Sequence, residues 1–128
     1  MSNASDYFED AVLNCIRGNA GITAITPYVA LFDGDPGEDG SGALEVTVDV
    51  RAAGRVQASF GEPSSGEIAN DTVVDFGDAA NAATVAGFGI FDAATDGNLI
   101  AYGTFTSQSI NAGNPVSFPV GNLTITVA

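Results

Sequence analysis

The chain has no lysine, no histidine and no tryptophan, and one cysteine, Cys15. Without His and Lys it lacks the ordinary general base, the Schiff-base amine and the commonest zinc ligand. A lone Cys forms no intrachain disulfide and says nothing about compartment, so Cys15 reads as a small hydrophobe in the packing. Cations are nearly absent too: Arg17, Arg51 and Arg55 stand against sixteen acidic residues, for a net charge of −13. Nothing here could displace counterions from a polyanion, which excludes nucleic acid as a partner and an anionic membrane surface with it. No apolar run reaches the roughly 18 residues a membrane helix needs. The opening residues 1–6 have neither the basic start nor the apolar core of a signal peptide, so the chain is read as made in a cytoplasm and not exported by the ordinary route.

What is present suits short strands. In 128 residues there are 16 Gly, 5 Pro and 45 % hydrophobic residues, many of them Val, Ile and Phe. That composition fits one domain over residues 1–128, built as a β-sandwich. Residues 88–92 and 99–105 form two β-type runs around a loop ending in Asp96-Gly97, where Gly supplies the positive φ that closes a hairpin. The pair holds Phe88, Ile90, Phe91, Leu99, Ile100, Tyr102 and Phe105, and such a hairpin needs another layer over it. Gly87, Gly89 and Gly103 are expected to leave gaps for neighbouring rings.

Residues 5–17 are the helix candidate, with Ser5 as cap, Asp6, Glu9 and Asp10 near the positive dipole end, Arg17 near the negative end and Gly18 as stop. Tyr7, Phe8, Ala11, Val12, Cys15 and Ile16 form one apolar stripe, whose cover is either the end of its own sheet or a neighbouring chain. Residues 28–32 are apolar on both faces, an interior strand. The acidic, Gly-rich residues 33–42 read as a projecting loop. Residues 43–50 alternate, with Val46, Val48 and Val50 inward, and residues 54–60 continue with Val56, Ala58 and Phe60 inward. Strands near 72–76, 82–85, 116–118 and 123–127 complete about eight, over residues 27–128.

Catalytic signals are weak. Sixteen acidic residues make some carboxylate pair inevitable, so the two-carboxylate pattern of glycoside hydrolysis carries little information. The array Asp33-x-Asp35-x-x-x-Asp39-Gly40 departs from an EF-hand, with Pro36 and Gly37 before a required ligand and Leu44 where the bidentate Glu belongs; it reads as a solvated turn and no metal or cofactor is expected. Asn70-Asp71-Thr72 and Asn122-Leu123-Thr124 match the glycosylation pattern by chance.

Several blocks carry a resemblance: Tyr28-Val29-Ala30-Leu31-Phe32 followed by residues 35–42; Gly54-Arg55-x-Gln57 leading to Phe60-Gly61; Phe88-Gly89-Ile90-Phe91-Asp92-Ala93-Ala94 with Gly97-Asn98-Leu99; and residues 110–113 with Phe118 and residues 121–126. Together they resemble small bacteriophage virion proteins described as tail-fibre-like, some of which are head decoration (cement) proteins. Related chains often carry Trp shortly before the Phe88 block, where this one has residues 81–85 and no Trp. The resemblance implies a non-enzymatic structural protein with a jelly-roll-like antiparallel sandwich and one N-terminal helix. It implies a homotrimer on the outer surface of the phage head, bound to the major capsid protein and strengthening contacts between capsomers. The alternative is a tail or tail-fibre component that attaches to the host surface. In the head reading Tyr7, Phe8 and Val12 are the candidate residues for self-association or capsid docking.

Overall fold

A computed structural model describes residues 2–21 and 23–127. Strand β1 (Ser2–Ala4) and helix α1 (Asp6–Ile16) come first. Strands β2 (Tyr28–Phe32), β3 (Glu45–Val46), β4 (Val56–Gln57), β5 (Glu67–Ala69) and β6 (Val74–Asp78) follow. The chain ends through β7 (Ala83–Phe91), β8 (Leu99–Ile110), β9 (Pro115–Phe118) and β10 (Thr124–Thr126). The main sheet runs β1-β8-β7-β2-β3, with β4 also on β2; β10 pairs with β5 and β6 with β9, and every pairing is antiparallel. The molecule is the all-β sandwich with an N-terminal helix that the sequence predicts.

The β7–β8 hairpin organises both faces of the main sheet. On one face Val29, Leu31, Phe88, Ile90 and Ala101 meet residues of the two short pairs, among them Val74, Phe76 and Leu123. Phe118 stands at the centre of this layer, its ring edge-on to Phe76, Phe88 and Phe105 at centroid distances of 6.4, 6.3 and 6.2 Å. Such edge-to-face contacts add specificity to the burial of large apolar area. On the other face Ala30, Phe32, Phe91, Leu99 and Tyr102 form a second cluster. Gly89 leaves the predicted gap there: a Cβ would lie 3.0 Å from both Leu99 Cδ1 and Phe32 Cε1.

That second face is covered by residues 33–42, which do not project. Pro36 is fully buried, Gly42 N donates to Pro36 O at 2.8 Å, and a Cβ on Gly87 would collide with the Gly34 carbonyl. Gly87 thus admits the Gly34 backbone and the edge of Pro36 rather than a Phe or Tyr ring. The loop folds back because its carboxylates serve its own turns: Asp33 Oδ1 accepts from Leu44 N, Asp35 Oδ1 from Gly37 N, and Asp39 Oδ1 from Ser41 N and Oγ. The bonds of Asp35 and Asp39 are Asx turns that satisfy main-chain donors locally, while that of Asp33 ties the two ends of the loop together.

Residues 43–50 depart from the alternating strand. Only Glu45–Val46 pairs with β2; the chain then turns, with Val50 N and Arg51 N both donating to Thr47 O, so Val50 is buried while Val48 points out, 63 % exposed. The expected separate strands at 82–85 and 88–92 are one strand, β7, carried past an irregularity between Val85 and Gly87. Cys15 is exposed and not a packed hydrophobe.

At the hairpin loop Asp96 and Gly97 take φ of 54° and 72°. Asp92 closes the loop, its Oδ1 accepting from Asn98 N at 2.7 Å and its Oδ2 from Asn98 Nδ2 at 3.0 Å. Burial alone would raise the Asp92 pKa, but these hydrogen bonds and the nearby Arg55 charge outweigh it and hold the carboxyl below its ordinary value. The folded state therefore prefers the ionised form more than the unfolded chain does. That preference contributes in full above the unfolded carboxyl pKa of about 3.9, and is lost as pH falls below it toward the folded value. Thermal midpoints measured from pH 6 down to pH 2.5 should show Asp92→Asn less stable than the native chain at pH 6, with the gap closing below about pH 4. A constant gap would remove Asp92 from the acid response.

Candidate functional site at the helical end

Ser5 builds this end of the molecule. Its N donates to Ile100 O at 2.9 Å, its hydroxyl donates to Leu99 O, and Oγ accepts from Phe8 N at 3.1 Å, so a single buried side chain both caps α1 and fastens it to β8. Asp6 N donates to Glu38 O at 3.2 Å, locking the helix start to the folded-back loop. Gly18, with φ of 85°, ends the helix as predicted.

Held in this way, α1 buries only Ala11 within its own subunit. Leu13 is 60 % and Ile16 76 % exposed, with Tyr7 and Val12 partly so. Beneath the helix lies an apolar groove of about 480 Å³ whose walls include Phe8, Ile25, Pro27, Ile68, Ile100 and Ile125. It adjoins a second depression, bordered by Val12, Leu13, Glu9, Glu38 and Tyr102, and the two share Ala4, Phe8, Thr126 and Val127. One end of this continuous surface is thus aliphatic and the other acidic. Carboxylate oxygens of Asp6, Glu9 and Glu38, all exposed, lie within 4.8 Å of one another. Burial first, and then the charges of Glu38, Asp35, Asp6 and Glu9, push the Tyr102 hydroxyl above its usual pKa. The potential at this end is strongly negative.

Of the three residues singled out in the sequence, Phe8 lies where the two depressions meet and Val12 borders the second; Tyr7 is half-exposed on the helix and lines neither. Sequence reasoning missed the opposite wall, Ile25, Ile68 and Ile125, because those residues reach the helix only through tertiary folding. It also missed Arg55, whose side chain is 7 % exposed. Arg55 donates through Nε and Nη2 to both Glu45 oxygens at 3.1 and 3.0 Å and through Nη1 to the Ala93 and Asp96 carbonyls at 2.9 and 2.7 Å. Its guanidinium also lies 3.6 Å from the Phe91 ring centroid. The available signal was scarcity: one of three cations, placed inside a recognised block. Asn70, within the chance glycosylation pattern, is buried, with its amide engaged by backbone on both sides.

The antiparallel sandwich commits Asp33, Asp35, Asp39, Asp92 and Arg55 to its own loops and shows an apolar face with an exposed acidic trio at its helical end. The chain belongs to the family described as podophage GP4 fiber I protein gp80, whose model matches residues 3–126. It is therefore a bacteriophage structural protein of the fibre type. No curated protein matches it. Membership in a fibre family favours the tail-fibre alternative over the head-cement reading.

Proposed function

We propose that this chain is a non-catalytic component of a phage tail fibre that takes part in attachment to the host surface. The observation that carries this reading is the fibre-family match, which extends over nearly the whole chain. The architecture is compatible with it. A sandwich fixed by buried staples and sheathed in negative charge resists non-specific association, while the helical end leaves apolar surface for a defined contact. Gold-labelled antibody against the chain, applied to intact particles and viewed by electron microscopy, should mark the tail, and excess purified chain should slow adsorption of particles to host cells. Label over the head shell would return the protein to a cement role.

A further inference from the structure

The helical end has an aliphatic groove running into an acidic trio, and the same chain carries a matching shape elsewhere. Arg55 is enclosed by Glu45 and two carbonyls, and Arg51 Nη1 is held by Arg55 O at 2.6 Å and Gly54 O at 3.5 Å. Arg17 is the remaining cation in a chain with no Lys or His; among the described residues its head group meets only Asn14 Oδ1, at 3.2 Å, on its own helix. Immediately before it stands Ile16, the most exposed of the large apolar residues described. The corner where α1 ends is therefore apolar then basic, opposite in sign to the groove's acidic end.

We infer that a second copy of this chain seats its Ile16–Arg17 corner in the groove, with Ile16 entering the aliphatic half and Arg17 meeting Asp6, Glu9 and Glu38. The contact cannot form within one subunit. Asp6 and Arg17 lie at opposite ends of the same helix, roughly 16 Å apart at 1.5 Å per residue. Charge complementarity selects the occupant, because Arg17 is the exposed cation among the described residues, whereas Arg51 and Arg55 are half-buried against their own backbone. Donor corner and acceptor groove are different surfaces, so the contact is head-to-tail; it closes into a ring when the rotation divides the circle and otherwise grows into a filament. This inference holds wherever on the particle the chain sits.

Analytical ultracentrifugation of the full chain over a wide concentration range tests it. The native chain should associate reversibly. Arg17→Glu, and separately Glu9→Arg with Glu38→Arg, should each raise the dissociation constant at least about tenfold, since like charges then face each other. An equimolar mixture of the two variants should recover association, because each supplies the charge the other's contact requires. Circular dichroism establishes that each variant is folded, and Glu9→Arg alone replaces the double variant if the latter is not. A native chain that stays monomeric at every concentration, a variant that associates as well as the native chain, or a mixture that stays monomeric would overturn the inference.

Discussion

Replacing Asn70 with Ala should cost about 3 kcal/mol, roughly 10–15 °C in thermal midpoint for a domain of this size. The Asn70 Nδ2 donates to Thr72 O at 2.8 Å, Pro119 O at 3.0 Å and, more weakly, Phe118 O at 3.4 Å, while Oδ1 accepts from Leu123 N at 3.0 Å. Its backbone adds Asn70 N to Leu123 O and Gly121 N to Asn70 O. This one residue joins the end of β5, the approach to β6 and the β9–β10 connection. Truncation leaves several main-chain groups unpaired in a site that excludes water, and such groups lose their desolvation energy without compensation. Asn70→Asp separates this account from simple loss of volume. It keeps the acceptor for Leu123 N but sets a carboxylate against carbonyl oxygens, so it should destabilise at least as much as Ala at pH 7 and recover part of the loss near pH 3, when a protonated carboxyl donates again. Calorimetry showing Asn70→Asp equal to the native chain at pH 7 would refute the assignment.

Arg55→Ala should cost somewhat less, about 2 kcal/mol, because removing one member of a partly buried, hydrogen-bonded ion pair strands the other. Glu45 would lose both of its charge-assisted bonds and the 92–98 loop its two carbonyl anchors. Arg55→Lys should retain less than half of the stabilisation. An ammonium is a point charge without the planar fork that reaches a carboxylate and two carbonyls at once while standing over the Phe91 ring. Chemical denaturation of native, Ala and Lys forms measures this directly, and a Lys form as stable as the native chain would show that charge alone matters here.

These two side chains also mark the limit of what the sequence makes legible. The hairpin over 88–105 and helix α1 are encoded locally: Asp96-Gly97 needs positive φ, and Ser5 and Gly18 bound a regular stripe. The doubly apolar Tyr28–Phe32 is likewise readable as interior, and four of its five residues are buried. Residues 43–50 mislead because alternation describes a strand only while a partner continues beside it, and β2 pairs with them only through Leu31 and Phe32, its Tyr28 and Val29 being paired with β4. Strands of two or three residues, such as β1, β4 and β5, are too short to show any period. Loop 33–42 looks like a projection because its acidic residues suggest solvent; its Asx turns and the buried Pro36 become visible only in three dimensions. Of the candidate site, the helical side was legible in Phe8 and Val12, whereas the groove depends on segments distant in sequence. A plainer signal is that no charged residue follows Asp96, so β8 to β10, including Ile125 on the groove wall, lie in a neutral final quarter of an otherwise acidic chain.

The bond from Ser5 to Leu99 spans 94 residues, and β1 pairs with residues 101–103. On a translating ribosome the first helix must therefore wait for its dock. At about 5–20 residues per second that delay is roughly 5–20 s, during which the nascent amino-terminal segment has no seat. Ile125 arrives later still, so on the contact inferred above newly made copies could join one another only after β10 is in place, which would delay polymerisation on polysomes.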